Sequence, residues 1–320
     1  MRENFGEGGN RIPKIEIIEC PSFSGRARST VVTMGHITEI TTVQKPVPEC
    51  PCRRLDKDHY YDTRTGEIFD YEHIENRAGS AASVRRTLSK IRALINTNCT
   101  QPENIRWVTL TYAENMTDTK QLYADYEKFW KRFLYWCKKQ GYEKPEYISV
   151  QEPQGRGAWH IHAFFIWPSK APFIPNNDVL EVLWRHGWTK CKAVDDCDNI
   201  GAYFSAYLAD MPLDEFLERS ELKENSFPGP VTEKAFVNDE GLQKDKRFVK
   251  GGRLHLYPPG MNILRYSKGI KKPLVEKMFL FEARKKVSAA TETFSRAYAV
   301  KDDWNDTIQV VSKAYYNSKR

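Results

Sequence analysis

One stretch constrains this chain more than any other: Trp159-His160-Ile161-His162-Ala163-Phe164-Phe165-Ile166-Trp167. Its aromatic and β-branched content reads as a buried strand. Strand side chains alternate faces, so His160 and His162 point the same way while Ile161 points into the opposite layer. Both imidazoles then come within reach of one ion. Upstream, Tyr147-Ile148-Ser149-Val150-Gln151-Glu152 is a second β-prone run, and the Pro- and Gly-rich segment between them, Pro153 to Ala158, is a hairpin signal. Folding it back returns Glu152 to His160 and His162. The expected set is His/His/carboxylate with an open coordination position, which suits a catalytic divalent ion better than a closed structural zinc site. A His-x-His pair in a strand also arises by chance, and this stretch alone leaves both readings open.

At 320 residues, with 40% hydrophobic and 12% aromatic content, the chain has material for one elaborated domain or two small ones. It contains no apolar run of the roughly 18 residues a spanning helix needs, so a soluble protein without a membrane partner is expected. The first residues, Met1-Arg2-Glu3-Asn4, are not an apolar signal segment, and the seven cysteines are expected as reduced thiols in a cytoplasm. Cys50-Pro51-Cys52 looks like half of a zinc site, but Cys99, Cys137, Cys191 and Cys197 are scattered singly, so no zinc cluster is expected. The net charge of +7 is modest. Its distribution is more informative. Between Gly241 and Ala290 basic residues crowd together, Arg253, Arg265, Lys268, Lys271 and Lys272 among them, against only Asp245, Glu276 and Glu282 as acids. That is the footprint of a polyanion partner; the plainer alternative is a solvated basic face, and the interleaved Tyr257 and Tyr266 favour the former.

Along the chain, residues 1–78 read as an extension or small subdomain with short β-like runs at Lys14–Ile18, Val31–Met34 and Ile37–Val43. Residues 79–212 read as the catalytic domain and 213–320 as a basic C-terminal region. The spacing of Val84, Leu88, Ile91, Leu94 and Ile95 predicts an amphipathic helix. A strand follows at Ile105–Tyr112. Thr117 or Asp118 then caps a helix that Gly141 stops. After the histidine strand come a short helix from Asp178 to Arg185, a strand over Trp188–Val194, and a helix over Ile200–Asp210 on which Tyr203 and Tyr207 are neighbours on one face. Such aromatic pairs are usually core packing. A last helix is predicted from Pro273 to Ala289, a proline being favourable in a first turn, and β-like runs at Thr291–Val300 and Thr307–Tyr316 end the chain.

Taken together, Val108-Thr109-Leu110-Thr111-Tyr112, His160-Ile161-His162 with Glu152, and Tyr203-x-x-x-Tyr207 resemble the three motifs of the HUH endonucleases. Within these the chain looks like the Rep-like rolling-circle replication initiators of bacterial plasmids, phages and integrative elements, and the segment from Arg253 to Pro273 is similar to Rep-like proteins of Gram-positive mobile elements. The resemblance implies an α+β fold: a central antiparallel sheet of about five strands, the histidine hairpin in its middle and helices mainly on one face. It implies a nickase and strand-transferase in which Tyr203 or Tyr207 forms a 5′-phosphotyrosine link, with Mg²⁺ or Mn²⁺ held by His160, His162 and Glu152. Single-stranded origin DNA is the expected partner, met by Thr111, Tyr112, Arg156, Lys190 and Lys192 and by the basic segment. No Gly-x-x-x-x-Gly-Lys-Ser/Thr loop is present, so a host helicase and polymerase are expected as well. The lysine that many relatives carry three residues after a catalytic tyrosine is here Ala206 or Asp210. A conjugative relaxase or transposase shares this chemistry, and a non-catalytic DNA-binding repressor on the same scaffold is the reading from another class.

Overall fold

The structure is a computed structural model that describes residues 14–46, 51–71, 81–154, 157–195, 198–205, 210–212, 231–237, 243–249, 252–301 and 306–320. In chain order its elements begin with β1 (Lys14–Ile18), β2 (Arg28–Met34), β3 (Ile37–Val43), β4 (Cys52–Arg54), β5 (His59–Asp62), β6 (Ile68–Asp70) and α1 (Ala81–Asn98). There follow β7 (Ile105–Thr111), α2 (Thr119–Lys139), β8 (Glu146–Pro153), β9 (Trp159–Ile166), α3 (Val182–Trp184), β10 (Thr189–Ala193) and α4 (Ile200–Ser205). The chain closes with β11 (Met211–Pro212), β12 (Val231–Val237), β13 (Gln243–Val249), β14 (Leu264–Tyr266), β15 (Leu274–Phe279), α5 (Leu280–Lys286), β16 (Thr291–Lys301) and β17 (Thr307–Asn317). Two compact units result: residues 74–272, and residues 1–73 together with 273–320.

The first of these units is built on an antiparallel five-stranded sheet ordered β10-β7-β9-β8-β14, with the histidine strand in the middle as expected. Alternation in β9 sends Ile161, Ala163 and Phe165 to one face, where all three are fully buried. Helix α2 covers that face because its apolar residues recur at helical spacing: Tyr126, Phe129 and Phe133 are buried, and the Phe129, Trp130 and Phe133 rings pack on Phe165. Its ends are set locally. The Asp118 carboxylate accepts from the Lys120 and Gln121 amides at the start, and Gly141 takes φ 74° at the end. The opposite face, the one carrying His160 and His162, receives α4 through Phe204, which touches Trp107, His162 and Phe164. Helix α1 packs on α4. Helices thus lie on both faces: α2 has one to itself, and α4 with α1 takes the other.

The second unit holds a six-stranded antiparallel sheet ordered β1-β16-β17-β3-β2-β15, with α5 against one side, and a small sheet of β4, β5 and β6. The N- and C-terminal segments, far apart in sequence, therefore share one sheet. The helix predicted to begin at Pro273 is corrected here: residues 274–279 form β15, and only Leu280–Lys286 is helical. The reason is tertiary. The backbone of β15 pairs with Arg28–Thr33 of β2, an edge that no local window of sequence reveals. Among the described residues no helix is long and apolar enough to cross a membrane.

Candidate active site

The site follows from the registers of β7, β8 and β9. His160 stands opposite Thr111 on one side and Glu152 on the other, while His162 stands opposite Thr109 and Val150. Residues directly opposite in neighbouring strands share a face, so the hairpin does bring Glu152 to the histidine face. His162 Nε2 lies 3.0 Å from Glu152 Oε2, and His162 Nδ1 lies 3.2 Å from Thr109 Oγ1. The His160 and His162 rings are 6.1 Å apart between centroids.

Two tautomers are compatible with these contacts. If Nε2 carries the proton, it donates to Glu152, and Nδ1 accepts from the Thr109 hydroxyl. If Nδ1 carries it, Nδ1 donates to Thr109 and the Nε2 lone pair faces the carboxylate, where only a cation suits the space between two acceptors. Adjacent ligands about 2.1 Å from an octahedral ion are themselves roughly 3 Å apart, so the His162–Glu152 spacing and the donor types fit a divalent ion. A complete set is not assembled: among the described residues no three His, Cys, Asp or Glu side chains are arranged to hold a metal.

Arg253 is what holds the carboxylate instead. It comes from the basic segment and makes an ion pair with Glu152 Oε1 through Nη1. The two side chains are only 18% and 11% exposed. Burial alone would raise the Glu152 carboxyl above its usual range, but the hydrogen bond to His162 and the neighbouring charges of His162, Arg253 and His160 outweigh it and hold it low.

The tyrosine helix is positioned by a close approach. At Gly201 a β-carbon would fall on the Arg92 carbonyl oxygen and on the Asn96 side chain. The Gly201 amide donates to Asn96 Oδ1 at 2.8 Å, and Asn96 Nδ2 donates to Asn199 Oδ1 at 2.9 Å. Glycine here lets α4 seat on α1 and lay Phe204 on His162. The backbone of Tyr203 therefore sits beside the histidine face, one residue before Phe204. Tyr207 and Arg156 lie outside the described residues.

The other expected DNA contacts divide by place. Lys190 stands opposite Thr109 and Lys192 opposite Trp107, so both share the histidine face at its β10 edge, and both are exposed. Thr111 is 9% exposed beside His160. Tyr112 is in the core instead: it is 4% exposed and its hydroxyl donates to the buried Asp125 at 3.1 Å. Asp125 also accepts from Gln121 and lies 3.6 Å from His186. Arg265 is spent on α2, with Glu127 at 3.1 Å and the Tyr123 ring under its guanidinium at 4.8 Å. Lys268, Lys271 and Lys272 are exposed after β14, where the Lys271 backbone is tied to Asn98 at the end of α1.

Sequence reasoning named Arg253 as a DNA contact and missed its place beside Glu152; a pairing across about a hundred residues leaves no local signal. It also missed Thr109, which the alternation of Thr109 and Thr111 could have placed on the histidine face.

The strands and helices of this face coincide with a known family. Residues 105–212 match the model of a family of replication-associated proteins, described by its ORF2 member. The matched stretch is replication-associated. It runs from the first residue of β7 to the last of β11 and so contains the histidine hairpin and the tyrosine helix, consistent with a replication initiator. No curated protein and no solved structure matches the chain.

Proposed function

We propose that this chain initiates DNA replication by nicking single-stranded DNA through a covalent tyrosine intermediate. The observation that carries the reading is the packing of the Tyr203 helix, through Phe204, on the sheet face that presents His160, His162 and Glu152, all within the stretch matched by the replication-associated family. In the reaction the phenol oxygen of Tyr203 or Tyr207 attacks phosphorus. A P–O bond to tyrosine forms, the bond to the 3′ oxygen breaks, and that oxygen leaves as a hydroxyl after taking up a proton. A divalent ion bound by His160, His162 and Glu152 would supply charge stabilisation at the nonbridging oxygens. Thr109 fixes the His162 ring, and Lys190 and Lys192 attract the strand to the same face. The free 3′ hydroxyl would then serve a host polymerase, with a host helicase separating the strands.

The test is a single-stranded origin oligonucleotide with Mn²⁺ or Mg²⁺, expected to give a covalent adduct mapped to Tyr203 or Tyr207. Replacing His160 or His162 with Ala should lower cleavage at least about a hundredfold while salt-sensitive binding persists. Undiminished cleavage by the Tyr203→Phe/Tyr207→Phe double variant would overturn the tyrosine mechanism. One observation favours a second reading, a non-catalytic DNA-binding protein on the same scaffold: Glu152 is held by Arg253 in place of an assembled ligand set. Tight, sequence-specific binding with no adduct under any divalent ion would establish that reading.

A further inference from the structure

The six-stranded sheet of the second unit separates charge across its thickness. Its registers put Arg28, Lys277, Arg296 and Lys313 on one face, with Glu39, itself paired to Lys313 at 2.7 Å, as the acid among the described strand residues there. Glu16, Glu276 and Glu292 point to the other face, where α5 and the buried Val31 and Ile40 lie. The basic face also carries the aromatic residues. Phe294 is 45% exposed, lies 6.0 Å from the Tyr315 ring, and has the Arg296 guanidinium 5.2 Å over it.

Phe294 reaches this face through an irregularity. Glu292 pairs with Tyr316 and Phe294 with Tyr315, a register shift in β16 that absorbs Thr293. Without that bulge, Phe294 would share the face of Glu292; with it, the ring moves to the basic side. A bulge that re-aims one side chain is a feature to be explained by what that side chain meets. At the far edge Phe279, opposite Arg28, is 44% exposed and stacks with Phe281. Between Phe294 in β16 and Phe279 in β15 lie four strand spacings, roughly 19 Å at about 4.8 Å each.

We propose that this face is a second nucleic-acid site, which binds single-stranded DNA by stacking bases on Phe294, Tyr315 and Phe279 while Arg28, Lys277 and Arg296 meet the phosphates. Charge complementarity selects a polyanion, and exposed rings interleaved with cations on an open sheet select unpaired bases over a duplex. The surface would act independently of nicking and would hold a strand whether or not the other unit cleaves it.

The full-length chain is titrated with fluorescent oligo(dT), and the same oligonucleotide carrying bromodeoxyuridine is photocrosslinked and mapped. Crosslinks to residues 291–317 or 274–281 are expected. Phe294→Ala should weaken binding about tenfold, and Arg28→Ala with Lys277→Ala should flatten the slope of log affinity against log salt by about 1.4. Since Phe294 and Arg28 are exposed, circular dichroism serves to verify that each variant folds. Cleavage of a short origin oligonucleotide by Phe294→Ala should equal that of the parent, and Tyr203→Phe/Tyr207→Phe should keep its oligo(dT) affinity, so the two readings fail separately. Crosslinks confined to residues 74–272, unchanged affinity in both variants, equal affinity for a duplex, or preference for oligo(U) would each overturn the proposal.

Discussion

The two large sheets show how differently one chain can use antiparallel strands. The five-stranded sheet is covered on both faces, by α2 on one and by α4 on the other, and its central strand is buried enough to hold an ion pair at Glu152 and Arg253. The six-stranded sheet is covered by α5 on one face, and on the other its side chains remain half-buried or exposed. Enclosure permits precise polar geometry, because low dielectric strengthens each contact and packing fixes each rotamer. Openness permits contact with a long flexible ligand, at the cost of that precision.

The largest effect that separates the sheets is cavity formation. Phe165→Ala, on the fully buried face under Phe129 and Phe133, should destabilise its unit by about 3–5 kcal/mol, whereas Val32→Ala on the open face of the other sheet should cost under about 1 kcal/mol. Urea melts with hydrogen exchange to localise the loss would read both, and similar losses would break the contrast. Next comes Gly201→Ala, which forces α4 away from Arg92 and uncovers the histidine face. A cost of about 1–3 kcal/mol and a fall in oligonucleotide cleavage are expected; unchanged activity and stability would mean that the cover is not needed.

The smallest effect is a pH dependence in the β4–β6 hairpins. The hydrogen bond from His59, together with the Asp58 amide, holds the Asp56 carboxyl down to about 2, and the same contact raises His59. A depressed carboxylate stabilises above its ordinary value of 3.8 and loses that contribution as pH falls toward 2; a raised histidine stabilises below 6.5 and loses its contribution as pH rises through the shifted value. Amide protection of residues 56–62 should therefore be greatest between about pH 4 and about pH 6 and decline on both sides. A flat profile would show that this exposed pair contributes nothing.

Much of the first unit was legible because its signals are local. The period of Leu122, Tyr126, Phe129 and Phe133, the cap at Asp118 and the stop at Gly141 specify α2 without reference to anything distant. The alternation in residues 147–152 and 159–166 specified the hairpin, and its register came out with Glu152 beside His160. The second unit was legible only in pieces. Runs at 14–18, 31–34 and 37–43 were visible as strands, but their partnership with residues 274–317 depends on pairings across most of the chain.

What the sequence determined by itself, then, is the chemistry and its local carriers: a His-x-His strand, a carboxylate one hairpin away, and tyrosines on a following helix. Tertiary structure decided which of them meet. It placed Phe204 on His162, buried Tyr112 against Asp125, drew Arg253 onto Glu152 and made Leu274–Phe279 a strand. Side-chain periodicity is written within a few residues, whereas these contacts are settled by long-range burial and pairing energies that a local pattern does not encode.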